Sequence, residues 1–270
     1  MKKITIGYLS SGYVKTSCLK NFLYNLKKYQ PGHPYELVIC FKKLSKLEKK
    51  KRLKLIKDPK IEIFNDKDNS NDHEWGTLKR LCKLKKNRAI FWMNDHAYPE
   101  KKNWLKIIMK HYKKKRFLGT SGSCSSHYSN SFYRQEKENI LQVFFKIIYF
   151  FFTVPKFPNC HVRTNGFLIK SSEFLEFIEN KLTNSKLKSF LIESGYNSLT
   201  NFFLKKKYKV FIINNNGKKF SLNKMRNSNT FAHSDQKNFL ISDNHIRKYL
   251  KLSNKDKLIK SKQVWSRRLG

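Results

Sequence analysis

Apolar residues follow two rhythms along the first half of the chain. Residues 4–9 (ITIGYL), 35–41 (YELVICF), 61–64 (IEIF) and 89–93 (AIFWM) form short apolar runs. Three of them stop at small or polar residues: Ser10-Ser11-Gly12, Asn65-Asp66 and Asn94-Asp95-His96. Such runs predict strands. Between them, residues 18–29 place Leu19, Phe22, Leu23 and Leu26 at helical spacing, residues 44–56 form a Lys-rich helical stretch, and Trp75, Leu78 and Leu81 mark a third helix. Strand and helix in alternation predict an α/β fold, with a mostly parallel sheet covered by helices on both faces.

The pattern continues with a helix over 104–112 and a strand over 117–120 that runs into the small-residue loop 120–126 (TSGSCSS). Ser/Gly loops at strand ends are where α/β sheets hold ligands. Beyond this the rhythm weakens. Residues 139–153 predict an apolar helix, 154–159 contain Pro155 and Pro158, and 161–169 (HVRTNGFLI) resemble a strand feeding a helix over 172–180. The segment 190–204, a strand over 208–213 and a Lys/Asn-rich tail without clear periodicity complete the chain.

Composition changes this picture in two ways. With 22 Phe and 13 Tyr among 270 residues the chain has the means to build a core, although its hydrophobic fraction is only 39%. The formal net charge of +39 first suggests a polyanion as partner. The lysines are scattered with Asn, Ile and Phe instead of gathered into a stripe or a binding motif, which disfavours nucleic acid and leaves an anionic membrane surface as the better use. Cys18, Cys40, Cys82, Cys124 and Cys160 are odd in number, widely spaced and without a CxxC pair. They predict reduced thiols and a cytoplasmic protein, with neither a disulfide framework nor a zinc site. Residues 1–9 lack the long apolar core of a secretory signal. The longest apolar run, 140–154, contains Gln142 and Lys146 and falls short of the roughly 20 residues that span a bilayer.

Three constellations could carry chemistry. Asn94-Asp95-His96 follows a buried strand, where an acidic group can hold Mg²⁺ or Mn²⁺ against a diphosphate or, equally, start a turn. Glu193 stands ahead of the helical pattern of Leu199, Phe202 and Phe203; beside a helix start a carboxylate stays ionised and can accept a proton, or it simply caps the helix. His161, Arg163 and Asn165 at i, i+2 and i+4 share one face of an extended segment, suited to a phosphate or sugar or else to solvent at a sheet edge.

Taken in order, these segments resemble the GT-A glycosyltransferases near family 2, and a bacterial subgroup associated with surface polysaccharides, over residues 4–249. The Ser/Gly-ended first strand is followed by Glu74-Trp75-Gly76-Thr77-Leu78-Lys79-Arg80, similar to the subgroup's Asp-x-Gly-x-Tyr helix start. Next come Phe91-Trp92-Met93-Asn94-Asp95, the loop at residues 119–125, Phe157-Pro158-Asn159-Cys160-His161-Val162-Arg163-Thr164-Asn165, and Glu193-Ser194-Gly195 with Asn197-Ser198-Leu199-Thr200. The resemblance implies a transferase domain over 1–250, with a nucleotide-binding half (1–126) and an acceptor half (127–250), ahead of a basic tail at 251–270.

By the same resemblance a nucleotide-sugar donor would meet Ser10, Ser11, Asp66, Glu74, Gly76, Arg80 and Asn94, and a divalent cation would meet Asp95 and His96. Glu193 would be the base of an inverting transfer. His161, Arg163, Asn165 and Asn197 would position the donor or a glycan or lipid-linked acceptor at the inner face of the membrane. The family's Asp-x-Asp is Asn94-Asp95-His96 here, which weakens the metal site. Two other readings stay open: a sugar-nucleotide-binding protein without turnover, and a polyanion-binding protein driven by charge.

Overall fold

A computed structural model describes residues 4–68, 70–130, 139–181 and 183–266. The first half follows the predicted alternation: β1 (Ile4–Ser11), α1 (Thr16–Lys28), β2 (Tyr35–Lys42), α2 (Lys46–Leu53), β3 (Glu62–Asp66), α3 (His73–Leu84), β4 (Ala89–Met93), β5 (Tyr98–Pro99), α4 (Trp104–Met109), β6 (Arg116–Gly119) and β7 (Gly122–Ser123). The second half contains α5 (His127–Asn130), α6 (Ile140–Thr153), β8 (His161–Val162), β9 (Phe167–Lys170), α7 (Ser171–Ile178), α8 (Lys186–Ser194), α9 (Leu199–Lys205), β10 (Lys209–Ile213) and β11 (Lys219–Ser221). A 3₁₀ turn (Leu222–Ser228), β12 (Ile241–Ser242), α10 (Asn244–Leu250) and α11 (Asn254–Trp265) follow.

Eight strands form one sheet in the order β11-β10-β6-β9-β4-β1-β2-β3. The pairs β1–β2, β2–β3, β1–β4 and β6–β10 are parallel, whereas β9 runs antiparallel to both β4 and β6. The strand period of two sorts the side chains. Ile4, Ile6 and Tyr8 of β1, Ile39 and Phe41 of β2 and Phe91 of β4 face α1 and α4 through Leu19, Phe22 and Trp104. Leu9, Val38, Cys40, Ile90 and Trp92 face α3 and α7 through Trp75, Leu78, Leu81 and Phe174. Gly7 makes the second layer possible, because a Cβ there would stand 2.7 Å from Leu81 and 2.9 Å from the Trp92 ring. The expected α/β, mostly parallel, Rossmann-like sheet with helices on both faces is what forms, as a single sheet. The 1–126 and 127–250 halves interleave in it, since β6 lies between β9 and β10.

Four expectations change. Residues 161–169 are not one strand: β8 pairs with β7 in a separate ribbon, and β9 enters the main sheet. The side chains of Arg163 and Asn165 turn inward in the link between them and tie it to Ser121. The segment 190–204 is split at Gly195, so Glu193 sits in the last turn of α8 instead of ahead of a helix; Ser198 caps α9, accepting from Asn201 N at 3.4 Å. The tail folds back: α11 buries Val264, and the Trp265 indole N–H donates to Phe231 O and Ala232 O, both at 3.1 Å. Residues 267–270 of that expected tail lie outside the described residues. Finally, Cys124 and Cys160 form a disulfide, so the expectation of five reduced thiols is overturned; Cys18, Cys40 and Cys82 remain free. Spacing could not show this pair, because the two sulfurs are 36 positions apart in sequence, with α5 and α6 between them, while β7 and β8 bring them together. Among the described residues, no helix is long and apolar enough to cross a membrane.

Candidate active site at the carboxyl ends of the strands

The sheet order reverses at β1, with β2 and β3 on one side and β4 on the other. At such a switch point the loops leaving two neighbouring strands diverge, and the crevice between them is the usual ligand site of an open α/β sheet. Here the ends of β1 and β4 are joined across that crevice. Ser11 Oγ donates to Asp95 Oδ2 at 2.5 Å and the Tyr8 hydroxyl to Asp95 O at 2.9 Å. The Asp95 side chain is 13% exposed, and burial raises its carboxyl above the ordinary value despite the Ser11 hydrogen bond and the nearby His96 and Arg52. Asn94 Oδ1 accepts from His96 N at 3.2 Å, which fixes the turn.

Two further carboxylates approach from the other elements. Glu74, in the first turn of α3, is pushed well above the usual carboxylate range by burial, and then by the charges of Glu193 and Asp95; Thr164 and Trp92 favour its ionised form. Glu193 is likewise raised by burial, opposed by Arg163, His127 and the Thr164 N–H, which donates to Glu193 Oε1 at 3.3 Å. Its place at the carboxyl end of α8 adds no N-terminal dipole to hold the charge. Glu74 thus feels the charges of both Asp95 and Glu193.

The remaining expected residues are largely committed to the scaffold. Ser10 Oγ accepts from Arg52 Nη1 at 2.7 Å. Asp66 accepts from Arg80 Nε and Nη2 (2.7 Å each), Thr77 Oγ1 (2.6 Å), Asp68 N (3.2 Å) and Lys42 Nζ (3.5 Å), which fills the roughly four lone-pair sites of a carboxylate. Burial opposes its charge, but Arg80, Thr77 and Lys42 outweigh it and hold the carboxyl below the ordinary range. Asp66 thus has no lone pair left for a nucleotide base, and Arg80 is spent on Asp66, Asp68 and Asp72. Lys42, fully buried, also pairs with Asp72. Gly76 serves the same network: a Cβ would fall 1.7 Å from the Asp72 carboxylate.

His161, Arg163 and Asn165 are buried instead of facing solvent. His161 Nδ1 lies 2.7 Å from Asn159 O, and burial pushes the imidazole down to about 4, so it is neutral. Arg163 donates to Asp243 Oδ2 at 2.7 Å and to Ser121 Oγ at 3.3 Å, with its guanidinium 3.6 Å from the Phe231 ring centroid. Asn165, fully buried, accepts from Ser121 Oγ at 2.6 Å and donates to Ile241 O at 3.2 Å. Asn197 is exposed and receives Lys205 Nζ at 3.0 Å; it lines surface depressions with Phe152 and Phe202, apart from the carboxylates.

The cation at the crevice comes from an unforeseen place. Arg247 of α10 donates to His96 O at 2.9 Å and to Ser242 Oγ at 3.0 Å, lies 4.3 Å from the Tyr98 ring centroid, and adds positive charge near Tyr8 and Cys18. Its only sequence signal was Asp243 as a helix cap, accepting from Ile246 N at 2.8 Å. As metal donors, Asp95 Oδ1 and His96 Nε2 lie 4.0 Å apart, and among the described residues no set of three His, Cys, Asp or Glu side chains could hold an ion. With only these two side chains, a Mg²⁺ or Mn²⁺ would have to take most of its ligands from phosphate oxygens and water.

Fold and site together define an α/β protein with Asp95 beside the switch point of its sheet and Glu74 under the charges of Asp95 and Glu193. No family model matches the chain, and no curated protein matches it in sequence. Among solved structures it is similar to HddC from Yersinia pseudotuberculosis, at 8% identity and a TM-score of 0.41, over 74% of this chain and 97% of that one. It is also similar to the galactosyltransferase LgtC in complex with donor and acceptor sugar analogues, at 9% identity and a TM-score of 0.43, over 78% and 73%. The mannosyltransferase PcManGT from Pyrobaculum calidifontis, in complex with GDP-Man and Mn²⁺, matches at 7% identity and a TM-score of 0.42, over 69% of this chain and half (50%) of its own. These likenesses are distant, and the function is argued from the site.

Proposed function

We propose that the chain is a GT-A-type glycosyltransferase that moves a sugar from a nucleotide-sugar donor to a hydroxyl of a glycan or lipid-linked acceptor, with inversion at the anomeric carbon. What supports this reading is that the charges of both Asp95 and Glu193 act on Glu74, with Asp95 just past the end of β4 and Glu193 receiving the Thr164 N–H in the link that leads into β9. Glu193 is the base: its carboxyl, raised by burial, has the affinity to take the proton of an attacking hydroxyl. Ser11, at the end of β1, and Asn94 border the donor. Arg247, already anchored on His96 O, offers positive charge to the departing diphosphate. Asp95 and His96 would hold a divalent cation, which when bound supplies charge neutralisation for phosphate oxygens.

Glu193→Gln should lower transfer by about 100-fold or more while donor binding, read by thermal shift across a panel of sugar nucleotides with and without Mn²⁺, stays close to wild type. A fully active variant removes Glu193 from the mechanism. Chelation with EDTA should weaken donor binding; unchanged binding removes the cation. A donor-binding protein without turnover is the second reading, favoured by the single carboxylate in Asn94-Asp95-His96. Donor hydrolysis separates the two.

A further inference from the structure

Helix α6 carries its apolar side outward. At about 100° per residue, Ile140, Leu141, Phe144, Phe145, Ile148 and Phe152 fall within roughly 140° of arc. These side chains are exposed, Phe145 by 67% and Phe152 by 72%. Phe150, on the opposite side, is buried and stacks on His127 at 5.7 Å between centroids. Lys146 is less exposed than Phe144 or Phe145 beside it, the reverse of an ordinary surface helix. At ~200 Å² for a whole Phe, the six side chains show water on the order of 600 Å² of apolar surface, the upper end of what a monomer carries.

The surroundings of this face are cationic. Two depressions flank it, one including Phe145, Lys146 and Leu187, the other Phe152, Lys181 and Lys188, and among the described residues no carboxylate lines either. Lys156 Nζ stands 5.8 Å from the Phe151 ring centroid. From residue 139 to residue 172 the sequence has no Asp or Glu. A second copy of the chain would bring two such lysine collars together on molecules that each carry +39, and repulsion opposes that. A bilayer with anionic lipid satisfies both the apolar face and the collar. The 14 residues of α6 reach only about 21 Å, against the roughly 30 Å of a hydrocarbon core, so the helix lies in the interface and does not span it.

We infer that α6 docks the protein on an anionic membrane surface, with Phe144, Phe145, Ile148 and Phe152 set into the acyl boundary and the neighbouring lysines on lipid phosphates. This stands on the surface alone. One consequence rests on the transferase reading: Thr153 O, at the end of α6, accepts the N–H of Tyr196 at 3.1 Å, three residues from Glu193, so docking brings the candidate base close to lipid-linked acceptors.

The test is co-sedimentation of the full chain with phosphatidylcholine vesicles, with and without phosphatidylglycerol, at physiological salt. Wild type should sediment with the anionic vesicles, and Phe145→Asp/Phe152→Asp should weaken this by about tenfold or more, as expected for two large apolar side chains lost from the bilayer. The double variant should keep the wild-type melting temperature and donor binding, which separates this inference from the transferase reading. In a Phe145→Trp variant, bound to vesicles of brominated lipid, the new indole should be quenched. Wild type left in the supernatant, a double variant that sediments like wild type, an unquenched Trp, or a wild-type dimer that Phe145→Asp/Phe152→Asp dissociates would each overturn it.

Discussion

Glu74, half-buried, sits where a carboxylate is poorly tolerated, under the charges of Glu193 and Asp95 and largely desolvated. Its folded pKa lies above the ordinary, unfolded value. Its contribution to stability is therefore fully present below the ordinary carboxyl pKa, near 4.3, and is lost as pH rises through the raised folded value. Glu74→Gln, which removes the charge and keeps the shape, should raise the melting temperature at pH 8 and leave it nearly unchanged at pH 4. One unit of pKa is about 1.4 kcal/mol, so the gain should be at least a few degrees for a chain of this size. An equal gain at both pH values, followed by circular dichroism, would show that ionisation is not the cause. At this scale the turn at Asn94-Asp95-His96 was legible because it follows a closed apolar run, but the run itself could not say whether Asp95 does more than start that turn. Asp66 and Arg80 were visible too, but sequence shows a residue's type and not its partner, and these two found each other. Arg247 was out of reach: its bond to His96 spans 151 residues and starts from a stretch without periodicity.

Among the elements, the disulfide fastens the loop after β6 to the start of β8, where Asn159 N also donates to Cys124 O at 3.0 Å. Closing a loop of 36 residues should contribute about 2–4 kcal/mol, mainly by restricting the unfolded chain. Cys124→Ser should show that loss in urea unfolding, and dithiothreitol should reproduce it in wild type while leaving the variant unmoved. Strands β1 to β4 and β6 were legible because each is an apolar run that ends at turn residues, and the predicted range for β4 is the observed one; the two-residue strands β5 and β7 were not. The link between β8 and β9 was not, because its buried polar residues bond to loops distant in sequence and imitate the alternation of a continuous strand. Helix α11 escaped for a different reason: its mean composition is polar, and it is held by Val264 and Trp265 at its end instead of by a stripe.

For the molecule as a whole, +39 charges on 270 residues make self-repulsion a standing cost of the folded state. Raising NaCl from about 10 mM to about 150 mM shortens the screening length from roughly 30 Å to roughly 8 Å. The melting temperature should therefore rise with salt; a fall would mean that attractive pairs such as those of Arg80 dominate. The sheet also dictates an order of assembly. Because β9 alone joins β4 to β6, strands β1 to β4 can pair as soon as they leave the ribosome, while β6 must wait for residues 167–170, about 50 positions later, before it can attach to them. Until then the nascent chain holds an unzipped edge on β4, which a chaperone or a neighbouring polypeptide can reach.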